Sequence, residues 1–140
     1  MAARRRVTGA VAVVLATGCV TGCGQAAPDL FEVQRAGSDT NANVDLVIND
    51  AGSVTCNRSI HKPLSSAQLI QARDLTHKLE ALAKLDVDLP QGPRATLHYH
   101  ARSQAGSAAW WDTSPGQTGT LARLTRFTKD IAEDVCGLRR

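Results

Sequence analysis

Polar and apolar positions alternate along five short stretches of this chain and follow a helical period along two longer ones. Residues 30–35 place Phe31 and Val33 on one side and Glu32 and Gln34 on the other. That period of two is the pattern of a half-buried strand. Residues 43–49 repeat it, with Val44, Leu46 and Ile48 inward and Asp45 outward. Asn49-Asp50-Ala51-Gly52 is rich in turn residues, and residues 53–57 resume with Val54 and Cys56 on one face. The second and third strands are therefore expected to form a hairpin. Residues 94–102 carry the longest alternation, Ala95, Leu97, Tyr99 and Ala101 against Thr96, His98 and His100. After a turn at Gly106, residues 108–112 pair back as a fifth strand. Its adjacent Trp110 and Trp111 must point to opposite faces, which leaves one of them on the outer surface.

The helical period appears first over residues 65–85. Leu69, Ala72, Leu75, Leu79, Leu82 and Ala83 share a stripe, and Arg73, Asp74, His77, Lys78, Glu80 and Lys84 face water. Ser65 and Gln68 have the spacing of a capping box. The second helix is expected from a Thr118 cap to Cys136, on a stripe of Leu121, Leu124, Phe127, Ile131, Val135 and Leu138, with Gly137 ending it. Cys136 falls at the edge of that stripe. Residues 57–63 and 86–93 read as loops, the first containing the short Asn57-Arg58-Ser59 sequon. The order β-β-β-α-β-β-α predicts an α+β domain: an antiparallel sheet of about five strands with two helices on one face. The other face is then wet or a contact surface.

The start of the chain breaks this pattern. Arg4, Arg5 and Arg6 precede an apolar run over residues 7–16, followed by small residues. This is a secretory signal, about half as long as a membrane span. Leu15-Ala16-Thr17-Gly18-Cys19 resembles a bacterial lipobox, with Val20-Thr21-Gly22-Cys23 as an overlapping alternative. The resemblance implies lipidation of Cys19 (alternatively Cys23) and attachment to the outer face of the cell membrane. More than one acyl chain makes such attachment stable. The plainer alternative is a cut near Ala26-Ala27 and release to the medium. The expected organisation is residues 1–18 as signal, 19–29 as lipidated N-terminus and tether, and 30–140 as one domain.

Removing the signal changes the charge. The 140-residue chain carries +3, with 16 basic and 13 acidic residues. Three of the 16 are Arg4 to Arg6, so 13 of each sign remain. A neutral exported domain with no basic block is not a non-specific nucleic-acid binder. The four cysteines divide in the same way. Cys19 and Cys23 belong to the signal region, while Cys56 and Cys136 belong to the domain. In an oxidising compartment the latter two are expected to form a disulfide. Chain entropy values the loop it closes at roughly 4 kcal/mol.

Candidate chemistry is sparse. His98 and His100 sit at alternate strand positions, so both imidazoles share a face, as a zinc or copper site requires. His61, His77 or Asp112 would have to supply further ligands, and no spacing selects them. Two surface histidines on an open sheet are the simpler reading, and no cofactor is expected. There is no G-x-S-x-G or H-E-x-x-H motif, and Ser65, Ser66 and Ser114 stand where helix starts and turns use serine. Asp86 and Asp88 alternate with Leu85, Val87 and Leu89 as the wet side of an extended segment. The expectation is a non-enzyme.

The lipobox, the Asn49–Gly52 turn before a strand ending in Cys56-Asn57, and a terminal helix ending in Cys136-Gly137 resemble small secreted lipoproteins of high-GC actinobacteria. That resemblance implies export and an envelope setting and brings no activity with it. The secreted subtilisin-inhibitor family shares size, export and fold class, but it carries two disulfides and a bridged reactive loop. Here the domain has cysteines for one bridge. The expected function is an interaction or accessory module of the envelope. Thr96, His98, His100 and one of Trp110 and Trp111 form its contact surface for an envelope or extracellular protein or glycan. A metal-binding protein and a diffusible inhibitor-like protein are the alternatives.

Overall fold

Side-chain alternation places strand β1 (Asp29–Gly37) with Phe31 and Val33 inward. Strand β2 (Val44–Asn49) turns Val44, Leu46 and Ile48 the same way, and strand β3 (Ser53–Cys56) adds Val54 and Cys56. The computed structural model describes residues 26–139; the segment expected as a signal, with Cys19 and Cys23, lies outside the described residues. The Asn49–Gly52 turn closes the β2–β3 hairpin, with Gly52 at φ 87°, a conformation glycine adopts without steric cost. Strands β5 (Leu97–Ser103) and β6 (Gly106–Trp111) form the second hairpin. β1 pairs with both hairpins, through β2 and through β5, and so lies inside the sheet.

The sheet has six strands in the order β4-β3-β2-β1-β5-β6, every neighbouring pair antiparallel. The added strand, β4 (Ile60–Pro63), occupies part of the segment expected as a loop. Asn57 and Arg58, at φ 48° and 61°, reverse the chain in a tight left-handed turn, and the next residues pair along β3. All four β4 residues are exposed, so no apolar alternation marks them. The opposite edge of the sheet is also covered. In residues 87–89, Leu89 N–H donates to the Ala109 carbonyl and Val87 carbonyl accepts from Ala109 N–H, at 2.9 and 2.8 Å. Asp88 is the residue of that short parallel bridge, opposite Ala109, and Asp86 accepts from the Ser107 hydroxyl at 3.3 Å.

Helix α1 (Ser66–Ala83) starts at the expected capping box: Ser65 accepts from Gln68 N–H, and Gln68 accepts from Ser65 N–H. It buries Ala72, Leu75, Leu79 and Ala83 and ends just before Leu85, which is exposed. Helix α2 (Gly119–Asp130), capped by Thr118, buries Leu121, Leu124 and Phe127. The buried residues of both helices and the inward residues of the sheet form one core. Phe31 meets Phe127 edge-on at 6.0 Å, and Tyr99 stacks on Trp110 at 5.3 Å.

The expected α-helix does not continue unchanged to Cys136. It widens into a π-helical segment (Ile131–Val135), in which Cys136 N–H donates to the Ile131 carbonyl at 3.0 Å. In α-geometry Val135 stacks beneath Ile131. The wider turn puts Cys136 there instead, buried and facing the sheet, while Val135 is half-buried. Cys136 is thereby joined to Cys56 in the expected disulfide, Cα atoms 6.0 Å apart and 80 residues apart in sequence.

A surface ion cluster ties α1 to α2. One carboxylate oxygen of Asp74 accepts from Lys78 and from Arg123, both at 2.8 Å. The hydrogen bond from Lys78, then that from Arg123, hold the Asp74 carboxyl below its ordinary pKa. A carboxylate with a depressed folded-state pKa stabilises the fold above its unfolded pKa. That contribution disappears as pH falls through the folded value. Replacing Asp74 with Asn should therefore lower Tm at neutral pH, and the gap to wild type should close under acid in a pH series of melting curves. Cys56→Ser with Cys136→Ser should destabilise by about 2–5 kcal/mol in urea unfolding, with no change in wild type on adding oxidant.

Candidate functional site

Both helices lie on one face of the sheet, so the residues alternating with the core face the other side. His98 and His100 stand there together, half-buried, as their spacing in β5 requires. His98 pairs in register with Trp111 of β6, and their rings are 4.8 Å apart at 49°. His100 lies between Gln34 of β1 and Ala109 of β6. Gln34 donates to Glu32 at 2.8 Å, and Arg102 approaches Glu32 at 3.8 Å. Further across, Arg58 donates to Asp45 at 2.6 Å, and this hydrogen bond raises the pKa of its guanidinium. Thr96 is exposed at the strand end, where its backbone N–H and hydroxyl both donate to Asp112. The surface is a polar field around one aromatic pair.

The two tryptophans divide as adjacent strand residues must. Trp110 is fully buried, stacked on Tyr99, with its indole N–H donating to Thr125 at 2.9 Å. It therefore leaves the candidate surface and belongs to the core. Trp111 is the half-exposed one.

The further ligands considered for a metal do not converge on His98 and His100. His61 is on β4, with β3, β2 and β1 between it and β5, roughly 19 Å away at the usual strand spacing. It lies 3.0 Å from the Thr55 hydroxyl. His77 is on α1, across the sheet, and Asp112 is engaged by Thr96. Among the described residues no group of three or more His, Cys, Asp or Glu is placed to hold a metal ion. Ser65 is a helix cap. Ser114 is buried, accepting from Trp111 N–H and donating to the Pro90 carbonyl, both at 2.8 Å.

A further concavity lies on the other side of the sheet, between its core face and α2. This groove, about 820 Å³, has Arg35, Leu97 and Tyr99 at its floor and α2 as a wall. Arg35 is only 2% exposed. Its Nε donates to the Ala42 carbonyl and its Nη2 to the Asn41 carbonyl, both at 2.9 Å, and this fixes the plane of the guanidinium. The strand pattern did contain a signal for this residue: Arg35 shares the parity of Phe31 and Val33, so an arginine falls on the apolar face of an inner strand. That α2 roofs it with a groove follows only from packing.

Truncating each tryptophan separates the two faces. Trp110→Ala should cost about 3–5 kcal/mol in urea unfolding, as large core deletions do. Trp111→Ala should change stability by less than about 1 kcal/mol, as surface substitutions do. Comparison with protein-family models, with curated proteins and with solved structures gives no match to the chain.

Proposed function

We propose that this chain is an exported, non-catalytic binding module of the cell envelope. It is held at the outer face of the cell membrane by lipid on Cys19, or on Cys23, and meets its partner through the open face of the sheet. The observation that carries this reading is that both helices cover one face and leave the His98–Trp111 pair, with His100, on the other. A half-exposed aromatic pair ringed by hydrogen-bonding side chains suits recognition of a partner that is part apolar and part polar.

The length of the chain between Cys19 and the sheet accords with the same reading. From Cys19 to Asp29 is a tether of ten residues, at most about 35 Å when extended. The chain enters the sheet at Asp29, and His98 and Trp111 lie in register with Ala36, seven residues along β1. That sets the aromatic pair roughly 23 Å, along the strand direction, from where the chain enters the sheet at Asp29.

Two measurements test the proposal. The intact mass of protein recovered from its host membrane should show acyl groups on an N-terminal Cys19; an unlipidated mass beginning near Ala27, from the medium, removes the anchor. The purified chain should co-sediment saturably with envelope fragments of its host, and Trp111→Ala should weaken this by about tenfold. Protease treatment of the fragments then separates a protein partner from a glycan. Unchanged binding by Trp111→Ala would sink the assignment of the open face.

A further inference from the structure

The groove on the helical side of the sheet is separate from the open face, and its lining is unlike a surface left over from packing. Its volume, about 820 Å³, falls within the range of small-molecule sites, roughly 300–1,000 Å³. Its floor holds a buried guanidinium whose plane is set by two backbone carbonyls. Arg126 and Lys129 of α2 stand on the wall above it, one turn before Asp130 and Glu133. Arg126 and Asp130 are four residues apart within α2, the spacing that ordinarily closes into an ion pair on a helix, whereas Glu133 lies in the π-helical segment, where that spacing from Lys129 does not hold. The Arg126–Asp130 pair is not closed in the structure, and none of the four groove residues Arg126, Lys129, Asp130 and Glu133 makes a side-chain hydrogen bond among the described residues. The wall thus offers two cations and then two carboxylates, with Arg126 and Asp130 about 6 Å apart along the axis of α2.

We propose that this groove binds a small zwitterion of dipeptide size, an unblocked short peptide with a free carboxylate and a free ammonium. In an extended dipeptide the two charged termini flank Cα atoms about 3.8 Å apart, which puts the charges at the separation the wall presents. The carboxylate meets Arg126 and Lys129, whose N–H groups form charge-assisted hydrogen bonds with it. The ammonium meets Asp130 and Glu133. Leu97 and the Tyr99 edge supply the apolar floor beneath the peptide. Asp112, at the rim, is held by Thr96 and takes no part.

The test is calorimetric titration of the full chain with Ala-Ala, with N-acetyl-Ala-Ala, with Ala-Ala amide and with the doubly blocked peptide. The free dipeptide should bind with Kd below about 1 mM, and each single block should weaken binding at least tenfold. The double variant Arg126→Ala/Lys129→Ala, in exposed positions that leave the core intact, should also lose at least tenfold. Trp111→Ala, on the other face, should bind Ala-Ala as wild type does. That control keeps failure here distinguishable from failure of the open-face reading. No heat at millimolar Ala-Ala overturns the proposal. So does equal binding of the doubly blocked peptide, or unaltered binding by the Arg126/Lys129 variant.

Discussion

The bond between Cys56 and Cys136 joins the third strand to the last turn of the chain, and the placement of α2 depends on it. Cys136 reaches the sheet because the terminal helix widens after Asp130, which brings the cysteine beneath Ile131 instead of Val135. A continuous α-helix would leave it at the edge of the buried stripe. The widened segment thus converts an almost-aligned cysteine into a buried one, and the disulfide adds a covalent tie to a helix otherwise held by its apolar stripe, the Trp110–Thr125 hydrogen bond and the Asp74–Arg123 ion pair. With α2 held, Phe127 meets Phe31 and Thr125 accepts from Trp110.

Confining both helices to one face has two consequences for function. The uncovered face keeps its alternate residues half-exposed and assembles His98, His100 and Trp111 without any of them having to leave a strand. The covered face is not filled to its end. At Arg35 an arginine replaces the aliphatic residue that the pattern of β1 would place there, and α2 arches over it to leave the groove. The two surfaces lie back to back across β5, whose successive residues His98, Tyr99 and His100 alternate between them. One strand therefore positions both.

Much of this was legible in the chain. Five of the six strands and both helix starts follow from the period of the apolar residues, because a side chain's face is a local property of the backbone. The Ser65–Gln68 box, the Thr118 cap and the turns at Gly52 and Gly106 are equally local. β4 was not legible: an edge strand with all four residues exposed has no alternation, and only its pairing with β3 makes it a strand. Arg35 could be placed inward by parity, but the groove beside it could not, since its wall comes from residues about ninety positions away on α2.

The sequence by itself determined the class of fold, the pairing of Cys56 with Cys136 and the sharing of one face by His98 and His100. Each follows from short-range periodicity or from the two cysteines of the domain. The tertiary structure alone decided that Trp110 is core and Trp111 surface, that the last helix opens into a π-turn, and that a groove lies over Arg35. Adjacent strand residues must oppose one another, but which faces inward depends on where the helices pack. Helix packing is set by contacts between segments distant in sequence, which no local pattern contains.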